Sequence, residues 1–307
     1  MTGPQGAGSD RGSIERLCAL TAVSRASYYR DWADHSPGAE ETELRDLVQR
    51  LALAHRFYGY RRVTELVRRQ GWPVNRKRIA RLMAEDNLLC LRKPVFKPPT
   101  TDSRHSWRVW PNLARHLAPM AVNQLWVADI TYVRLSEAFV YLAVILDAYS
   151  RKVVGWAMAD HLRAELALDA LEMALRTRPP IPGGLVHHSD RGVQYACGDY
   201  IERLQAHGIQ PSMSRAGCPY DNAMAESFMK TLKAEEVNGY DYLDLTDATS
   251  RIGHFIEAIY NRQRLHSALG YRPPQEYEGA PQSHTDLSTA LWTAIPRPTA
   301  DNNNYCP

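Results

Sequence analysis

The amino-acid sequence predicts an α/β fold in which a mixed β-sheet with flanking helices follows an α-helical region. The first observation is a helical run at 162–177 set among four apolar, β-rich runs, at 125–134, 139–147, 152–159 and 184–189. Their order, β-β-β-α-β, is typical of a sheet covered by helices. The second observation is the helical spacing of apolar residues between 43 and 98. At 307 residues, the chain is long enough for two domains, each with its own core.

The helical segment 43–98 is strongly basic. It contains 14 Lys and Arg against 5 Asp and Glu, a net charge of 14 − 5 = +9, whereas the whole chain carries +3. Apolar residues share one face of a first helix, Gly71-Trp-Pro73 ends it, and Asn75 can cap a second helix. This pattern predicts a helix-turn-helix DNA-binding domain, with a helical hairpin bearing a solvated basic face as the alternative. The second helix opens with the basic residues that would meet DNA, which are Arg76, Lys77, Arg78 and Arg81.

The segments that flank these regions are less distinctive. Residues 1–42 predict a weak second helix-turn-helix, whose tyrosines serve either DNA contact or packing. Residues 99–121 read as a basic linker, for which phosphate contact and simple connection are equally open. Residues 281–307 are polar and contain proline, which predicts a disordered tail. The remaining segment, 122–280, contains the strand-like runs of the expected sheet.

Three carboxylates in this region stand in different settings. Asp129 lies within an apolar strand-like run, Asp190 closes another, and Glu226 falls in a helical run. Acids beside apolar strands are unfavourable to bury unless they are paired or bind metal. With 34 Asp and Glu in the chain, the alternative is that each is an ordinary surface or capping group.

Carboxylates from separated segments suit magnesium chemistry on phosphodiesters. Mg²⁺ takes oxygen ligands in near-octahedral geometry, and two ions about 3.5–4 Å apart can clamp the attacking and leaving oxygens. Asp129, Asp190 and Glu226 are therefore the candidate metal ligands and catalytic residues.

Motifs around these acids occur in a fixed order along the chain. They are Asp129-Ile-Thr-Tyr132, Leu142-Ala-Val-Ile-Leu-Asp147, Ser150-Arg-Lys-Val-Val-Gly-Trp156, His188-Ser-Asp-Arg-Gly192, Ser212-Met-Ser-Arg215, Asp221-Asn-Ala223 with Ala225-Glu-Ser227, and Tyr260-Asn-Arg-Gln-Arg264 with His266-Ser-Ala-Leu-Gly-Tyr271. Together they resemble the OrfB transposases of the IS-three insertion-sequence family, members of the retroviral-integrase superfamily of Asp-Asp-Glu enzymes. The resemblance runs from about residue 14 to residue 278, nearly the whole chain.

The resemblance implies an RNase H-like integrase core with a five-stranded mixed sheet. Neighbouring strands would then bring Asp129 and Asp190 together, and Glu226 would come from a helix packed across the sheet. In that arrangement Asp129 bridges two Mg²⁺ ions, with Asp190 and Glu226 each completing one, and Mn²⁺ is expected to substitute.

Residues near the acids have expected supporting roles. Asn222 and Lys230 lie one helical turn either side of Glu226, and Lys233 returns to nearly the same face. The resemblance implies that a basic residue at the position of Lys233 contacts DNA, whereas an exposed helix lysine is the plainer interpretation. His188 shares strand parity with Asp190, so it and Asn222 are candidates for backing the metal ligands.

The resemblance implies a function and partners. The expected reaction is cleavage at the 3′ end of a mobile element followed by strand transfer to double-stranded DNA, with terminal inverted repeats as substrate. We also expect self-association in a synaptic complex and cooperation with, or fusion to, an upstream OrfA product. An RNase H-like nuclease or resolvase that only cuts, and a catalytically silent DNA-binding regulator, remain as alternatives.

Composition excludes other classes. The longest apolar run, 139–146, is too short to span a bilayer, and the N-terminal sequence has no apolar signal core. We therefore expect a cytoplasmic protein. The five cysteines are scattered, which indicates neither a disulfide framework nor a Cys-x-x-Cys zinc site.

Overall fold

A computed structural model of the protein describes residues 11–30, 38–88, 90, 108–215 and 222–280. Its N-terminal part is helical. Two short helices come first, followed by three longer ones, and in chain order they are α1 (Arg11–Thr21), α2 (Arg25–Arg30), α3 (Ala39–Ala54), α4 (Tyr60–Arg69) and α5 (Arg76–Glu85).

Helices α3, α4 and α5 share one apolar core. The spacing of apolar residues predicted α4 and α5, whereas α3 was not predicted. The turn between α4 and α5 uses Gly71 at φ 87°, a left-handed conformation that glycine adopts without strain. The Asn75 side chain accepts a 2.9 Å hydrogen bond from the backbone N–H of Lys77 and so caps α5. The core is filled by side chains from all three helices, including Leu44, Leu47, Val63, Val67, Ile79 and Leu82.

The second part of the chain is built on a mixed sheet with strand order β3-β2-β1-β4-β5. Strand β1 pairs antiparallel with β2, which pairs antiparallel with β3, whereas β1 pairs parallel with β4 and β4 parallel with β5. The strands are β1 (Leu125–Arg134), β2 (Phe139–Asp147), β3 (Val153–Ala159), β4 (Val186–Ser189) and β5 (Gln210–Met213). The predicted five-stranded mixed sheet is confirmed.

Helices cover both faces of the sheet, which explains why the strands read as nearly continuous apolar runs. Trp126 and Ala128 face a cluster with α6 (Ala164–Thr177), α7 (Val193–Ala196) and α8 (Gly198–Ala206). Leu125 and Val127 face a cluster with α9 (Ala223–Glu235), α10 (Leu245–His254) and a π-helical continuation, Phe255–Tyr260. Because side chains alternate along β1, successive residues of this strand contact opposite helix layers.

The C-terminal segment returns to the helical module. Leu265 belongs to the same apolar cluster as α3, α4 and α5, and its backbone N–H donates a 2.9 Å hydrogen bond to the buried Tyr58 hydroxyl. Arg69 of α4 donates to both carboxylate oxygens of Glu276, at 2.8 and 3.0 Å. Glu276 lies in the final helix, α11 (Pro274–Gly279). The helical module and the sheet layer are thus joined through residues 261–279.

The predicted elements agree with the structure, with shifts at their ends. The helix expected from 162 begins at Ala164, and the strand expected from 184 begins at Val186. Within the expected linker, residues 108–121 include a 3₁₀ turn at Ala114–His116, and Leu113 and Leu117 pack on the sheet layer. Residues 99–107, Asp221 and the expected tail at 281–307 lie outside the described residues. In the part that the structure describes, every helix is too short or too polar to cross a membrane.

Candidate active site

Asp129 lies on β1, and Asp190 directly follows the adjacent parallel strand β4. Val127 of β1 pairs with His188 of β4. Asp129 comes two residues after Val127, and Asp190 comes two residues after His188. Because side chains alternate along a strand, both acids point to the same face, and adjacent strands are about 4.8 Å apart. The register therefore brings the first two predicted acids side by side at the carboxyl end of β4.

Glu226 reaches this place from the first turn of α9. The helix is fixed by an apolar face that packs on the sheet, formed by Ala225, Phe228, Met229 and Leu232. The Asn222 side-chain amide donates a 3.0 Å hydrogen bond to the Ala128 carbonyl, immediately before Asp129. The start of α9 is thereby tied to the strand that carries the first acid.

The electrostatics of Asp129 show that the other two acids act on it. Burial raises the pKa of this half-buried carboxyl to about 7, with further upward contributions from the negative charges of Asp190 and Glu226. The Ile130 backbone N–H, 2.9 Å from Asp129 Oδ1, and the Lys233 ammonium act in the opposite direction but do not offset the shift. Asp129 is thus the member on which the charges of the other two converge.

The three carboxylates are not gathered around a single point. Among the residues that the structure describes, no group of three or more His, Cys, Asp and Glu side chains is arranged to hold one metal ion. Negative carboxylates repel one another unless a cation or proton lies between them. The observed set is a pair on adjacent strands plus a third acid on a helix.

The loop after β4 holds Asp190 in place. The backbone N–H of Gly192 donates a 2.9 Å hydrogen bond to Asp190 Oδ1. A Cβ at residue 192 would lie 3.0 Å from that same oxygen, so a larger residue would displace the carboxylate. The role of Gly192 was not predicted from the sequence, although the motif Ser189-Asp-Arg-Gly192 could have indicated it.

The two histidines of β4 point to opposite sides, as strand alternation predicts. His188 is fully buried, with its Nδ1 2.8 Å from the Ser212 hydroxyl and its Nε2 3.0 Å from the Ser214 hydroxyl. His187 lies 3.0 Å from the Tyr200 hydroxyl, and burial lowers its pKa to about 3. The His188 ring therefore ties β4 to the β5 segment, and its predicted backing of the metal ligands stays a prediction.

The two lysines of α9 that follow Glu226, Lys230 and Lys233, differ in their exposure and in their contacts. Lys230 is exposed, with its Nζ 3.5 Å from Glu226 Oε2. The half-buried Lys233 places its ammonium 4.1 Å from the centroid of the Tyr132 ring. Burial lowers the Lys233 pKa, and the Asp129 carboxylate opposes that effect. Lys233 is therefore a cation seated beside the acids rather than an unconstrained surface lysine.

Comparison with known proteins assigns this architecture to a family. Two integrase core domain models match residues 119–219 and 207–274, and an HTH-like domain model matches residues 39–95. An uncharacterized 31 kDa protein of insertion element IS600 from Shigella sonnei is 42% identical over 266 residues, covering 85% of this chain and 97% of that protein. Transposase InsF for insertion sequence IS3A from Escherichia coli strain K12 is 35% identical over 272 residues, covering 87% of this chain and 94% of the relative. The chain belongs to the IS-three family of insertion-sequence transposases.

The family fixes the enzyme class of this transposase as a polynucleotidyl transferase with an integrase core. Among solved structures, the simian T-cell lymphotropic virus intasome in complex with PP2A regulatory subunit B56 gamma aligns with a TM-score of 0.44 and 14% identity. That alignment covers 84% of this chain and 80% of the other.

The basic residues at the start of α5 face an acidic turn of the transposase's own α3. Arg78 lies 3.5 Å from Glu40, and Arg81 lies 3.2 Å from Glu41. Arg76 and Lys77 are exposed, and Arg76 lies 3.4 Å from Glu65. The segment counted as basic from the sequence began after Glu40 and Glu41, so this pairing was not predicted.

Proposed function

We propose that the transposase uses Asp129, Asp190 and Glu226 as a metal-dependent catalytic triad. The triad would cleave a phosphodiester at a 3′ end of its mobile element and join the freed 3′-hydroxyl to another DNA strand. One observation carries the proposal: the register of β1 with β4 and the Asn222–Ala128 hydrogen bond bring acids from β1, the end of β4 and the first turn of α9 to one end of the sheet. Burial raises the pKa of Asp129 to about 7, and the charges of Asp190 and Glu226 add to that rise.

The donor set fits magnesium. Carboxylate oxygens are the ligands that Mg²⁺ prefers, and a divalent cation would offset the repulsion that raises the Asp129 pKa. The buried Asn222 Oδ1 has no hydrogen-bond partner among the described residues, which leaves one more oxygen unsatisfied next to the acids. When bound, Mg²⁺, or Mn²⁺ in its place, would activate the attacking oxygen and stabilise the charge of the displaced one.

The arrangement of the acids supports a different role for each of them. Asp129 is influenced by both other acids, so it is the proposed shared ligand of two ions, with Asp190 and Glu226 each completing one site. Asn222 holds the strand before Asp129, and His188 fixes the strand before Asp190. Lys230 and Lys233 supply positive charge for the phosphates. The protein's contribution is positioning and charge neutralisation.

The helical module supplies DNA affinity in this proposal. We assign residues 43–98 to binding the element's terminal inverted repeats and residues 122–280 to catalysis. Arg76, Lys77, Arg78 and Arg81 would contact the duplex from α5. Self-association in a synaptic complex and cooperation with an upstream OrfA product, both implied by the sequence motifs, complete the proposed assembly, which would act in the cytoplasm on chromosomal DNA.

The deciding experiment follows the joining of a labelled element end to a target duplex in Mg²⁺. Glu226→Gln keeps the side-chain size but removes a ligand charge, so cleavage and joining should fall by orders of magnitude while gel-shift binding to DNA persists. Glu202→Gln, an exposed acid on α8, is the matched control and should join normally. Near-normal joining by the Glu226 variant contradicts the triad, and cutting by the wild type without joined product favours a nuclease.

A further inference from the structure

The turn end of the β1–β2 hairpin carries a group of aromatic and basic side chains outside the acid site. Tyr132 pairs with Tyr141 and Arg134 pairs with Phe139 in the antiparallel register. Directly opposed residues share a face of the sheet, so all four side chains lie on one face. With Lys233 from α9, they form what we call the hairpin platform.

The rings of the platform are arranged as an open surface. The Tyr132 and Phe139 centroids are 5.8 Å apart with the rings at 72° to each other, and the Lys233 ammonium lies 4.1 Å from the Tyr132 centroid. Phe139 is 54% exposed, although it is the most apolar member. Arg134 is exposed beside it. An exposed aromatic ring opposite an arginine, and beside a second ring that holds a lysine ammonium, is unexpected for core packing and suits a planar, negatively charged ligand.

The platform lies close to the catalytic acids. Tyr132 follows Asp129 by three residues on β1, about 10 Å along an extended strand, which turns the two side chains to opposite faces of the sheet. Lys233 links the two faces, because its ammonium lies beside the Tyr132 ring and its charge acts on Asp129. Lys233 follows Glu226 by seven residues on α9, about 10.5 Å along a helix. A DNA strand whose phosphate is at the acids would therefore reach the platform within a few nucleotides.

We propose that the hairpin platform stacks an unpaired base of the DNA strand that is being cut or joined, with Lys233 and Arg134 neutralising the adjacent phosphates. The idea rests on the proposed function and names its DNA contact. Aromatic side chains beside a basic surface bind single-stranded nucleic acid by stacking on the bases. A base inside an intact duplex has both faces covered by its neighbours, so the occupant is a base freed by opening of the DNA end.

The test uses the full-length chain without divalent metal, so that binding is measured apart from catalysis. The probe is a duplex with a short single-stranded extension that carries 2-aminopurine, a fluorescent base quenched by stacking, at its first unpaired position. Wild-type protein should quench the probe. Phe139→Leu keeps an apolar side chain but removes the ring, and should bind the extended duplex about tenfold more weakly with most quenching abolished. Phe139→Tyr should restore both, and a fully paired duplex should be bound equally by all three proteins.

Tyr240 provides a matched control outside the platform. It is 49% exposed and has the Arg251 guanidinium 4.9 Å from its ring centroid. It lies near the hairpin turn, because the Ser136 backbone N–H donates a 3.1 Å hydrogen bond to the Tyr242 carbonyl, but it belongs to neither strand of the platform. Tyr240→Leu should bind and quench like the wild type. Glu226→Gln should also quench normally, so an inactive triad and an absent platform give different results.

Two outcomes would overturn the platform. In one, Phe139→Leu binds and quenches the extended duplex like the wild type. In the other, Phe139→Leu changes the mass of the DNA-free protein by light scattering while DNA binding is unaltered, which would make this face a contact between copies of the chain.

Discussion

The side-chain amide of Asn222 donates a 3.0 Å hydrogen bond to the backbone carbonyl of Ala128. Asn222 directly precedes α9, which carries Glu226, and Ala128 directly precedes Asp129 on β1. One side chain therefore sets the distance between the segments that hold the first and third acids. Asn222 is itself buried, so the loss of this bond would leave the Ala128 carbonyl without its partner in a dry environment.

Asn222→Ala should lower both the free energy of unfolding and the extra stability that added Mg²⁺ provides. Removing one partner of a buried hydrogen bond lowers the free energy of unfolding by about 1–3 kcal/mol, which thermal unfolding would register. The same variant should gain less stability from added Mg²⁺ than the wild type, because the acids are no longer held together.

Asn261→Ala is the control for this prediction. Asn261 is equally buried and bonds both the N–H and the carbonyl of Val153 at 3.0 Å, on edge strand β3. Its loss should destabilise the protein but leave the Mg²⁺-induced rise in melting temperature intact. Equal Mg²⁺ responses in the two variants would show that Asn222 has no special connection with the acids.

Some of these relationships could be predicted from the sequence and others could not. The apolar runs predicted that Asp129 lies within a strand and that Asp190 ends another, but only the family resemblance implied that these strands are neighbours, as the register of β1 and β4 shows. The pairing of Arg81 with Glu41 depends on how α3 crosses α5, which apolar spacing along each helix does not define. The exposure of Phe139 similarly depends on where the covering helices stop, a tertiary property.

Asp129→Asn should stabilise the metal-free protein at alkaline pH. Because the folded-state pKa, about 7, lies above the usual value of 3.8, the folded chain holds a proton that the unfolded chain releases between these pH values. Wild-type stability therefore falls as pH rises from about 4 to about 7. The uncharged variant avoids this loss and should be more stable by about 2–4 kcal/mol at pH 8, with the advantage absent near pH 4.

Urea unfolding of both proteins across this pH range measures the effect. Asp199→Asn, an exposed acid on α8, should change stability by less than about 0.5 kcal/mol. Added Mg²⁺ at pH 8 should stabilise the wild type and leave Asp129→Asn unchanged. An Asp129 variant less stable than the wild type at pH 8 without metal would show that the carboxylate is not under electrostatic strain.

Glu41→Gln should strengthen DNA binding by the helical module. In the free chain Glu41 lies 3.2 Å from Arg81 and 3.8 Å from Arg78, so DNA competes with this acid for both arginines. Such exposed ion pairs contribute at most about 1 kcal/mol, which predicts a gain of a few-fold in affinity for duplex DNA.

Arg76→Ala combined with Arg81→Ala should weaken binding and flatten its salt dependence, by about one unit of log–log slope for each phosphate that is no longer neutralised.

Fluorescence anisotropy at several salt concentrations gives both quantities. Glu202→Gln removes the same charge from α8 and should leave affinity unchanged. If the Glu41 and Glu202 variants bind alike, α5 does not meet DNA through these arginines.

Leu265→Ala should uncouple the helical module from the sheet layer. Leu265 is 1% exposed, packs in the apolar cluster of α3, α4 and α5, and donates its backbone N–H to the Tyr58 hydroxyl. Truncating a buried leucine lowers the free energy of unfolding by about 2–5 kcal/mol. At Leu265 the lost contacts are those between the helical module and the C-terminal segment that joins it to the sheet layer. We expect denaturant unfolding of the wild type to show a single transition and that of Leu265→Ala to show two. Leu204→Ala, at a fully buried leucine of the α6–α8 layer, should destabilise to a similar degree but retain one transition. A single transition in both variants would mean that the module and the sheet layer unfold together without relying on Leu265.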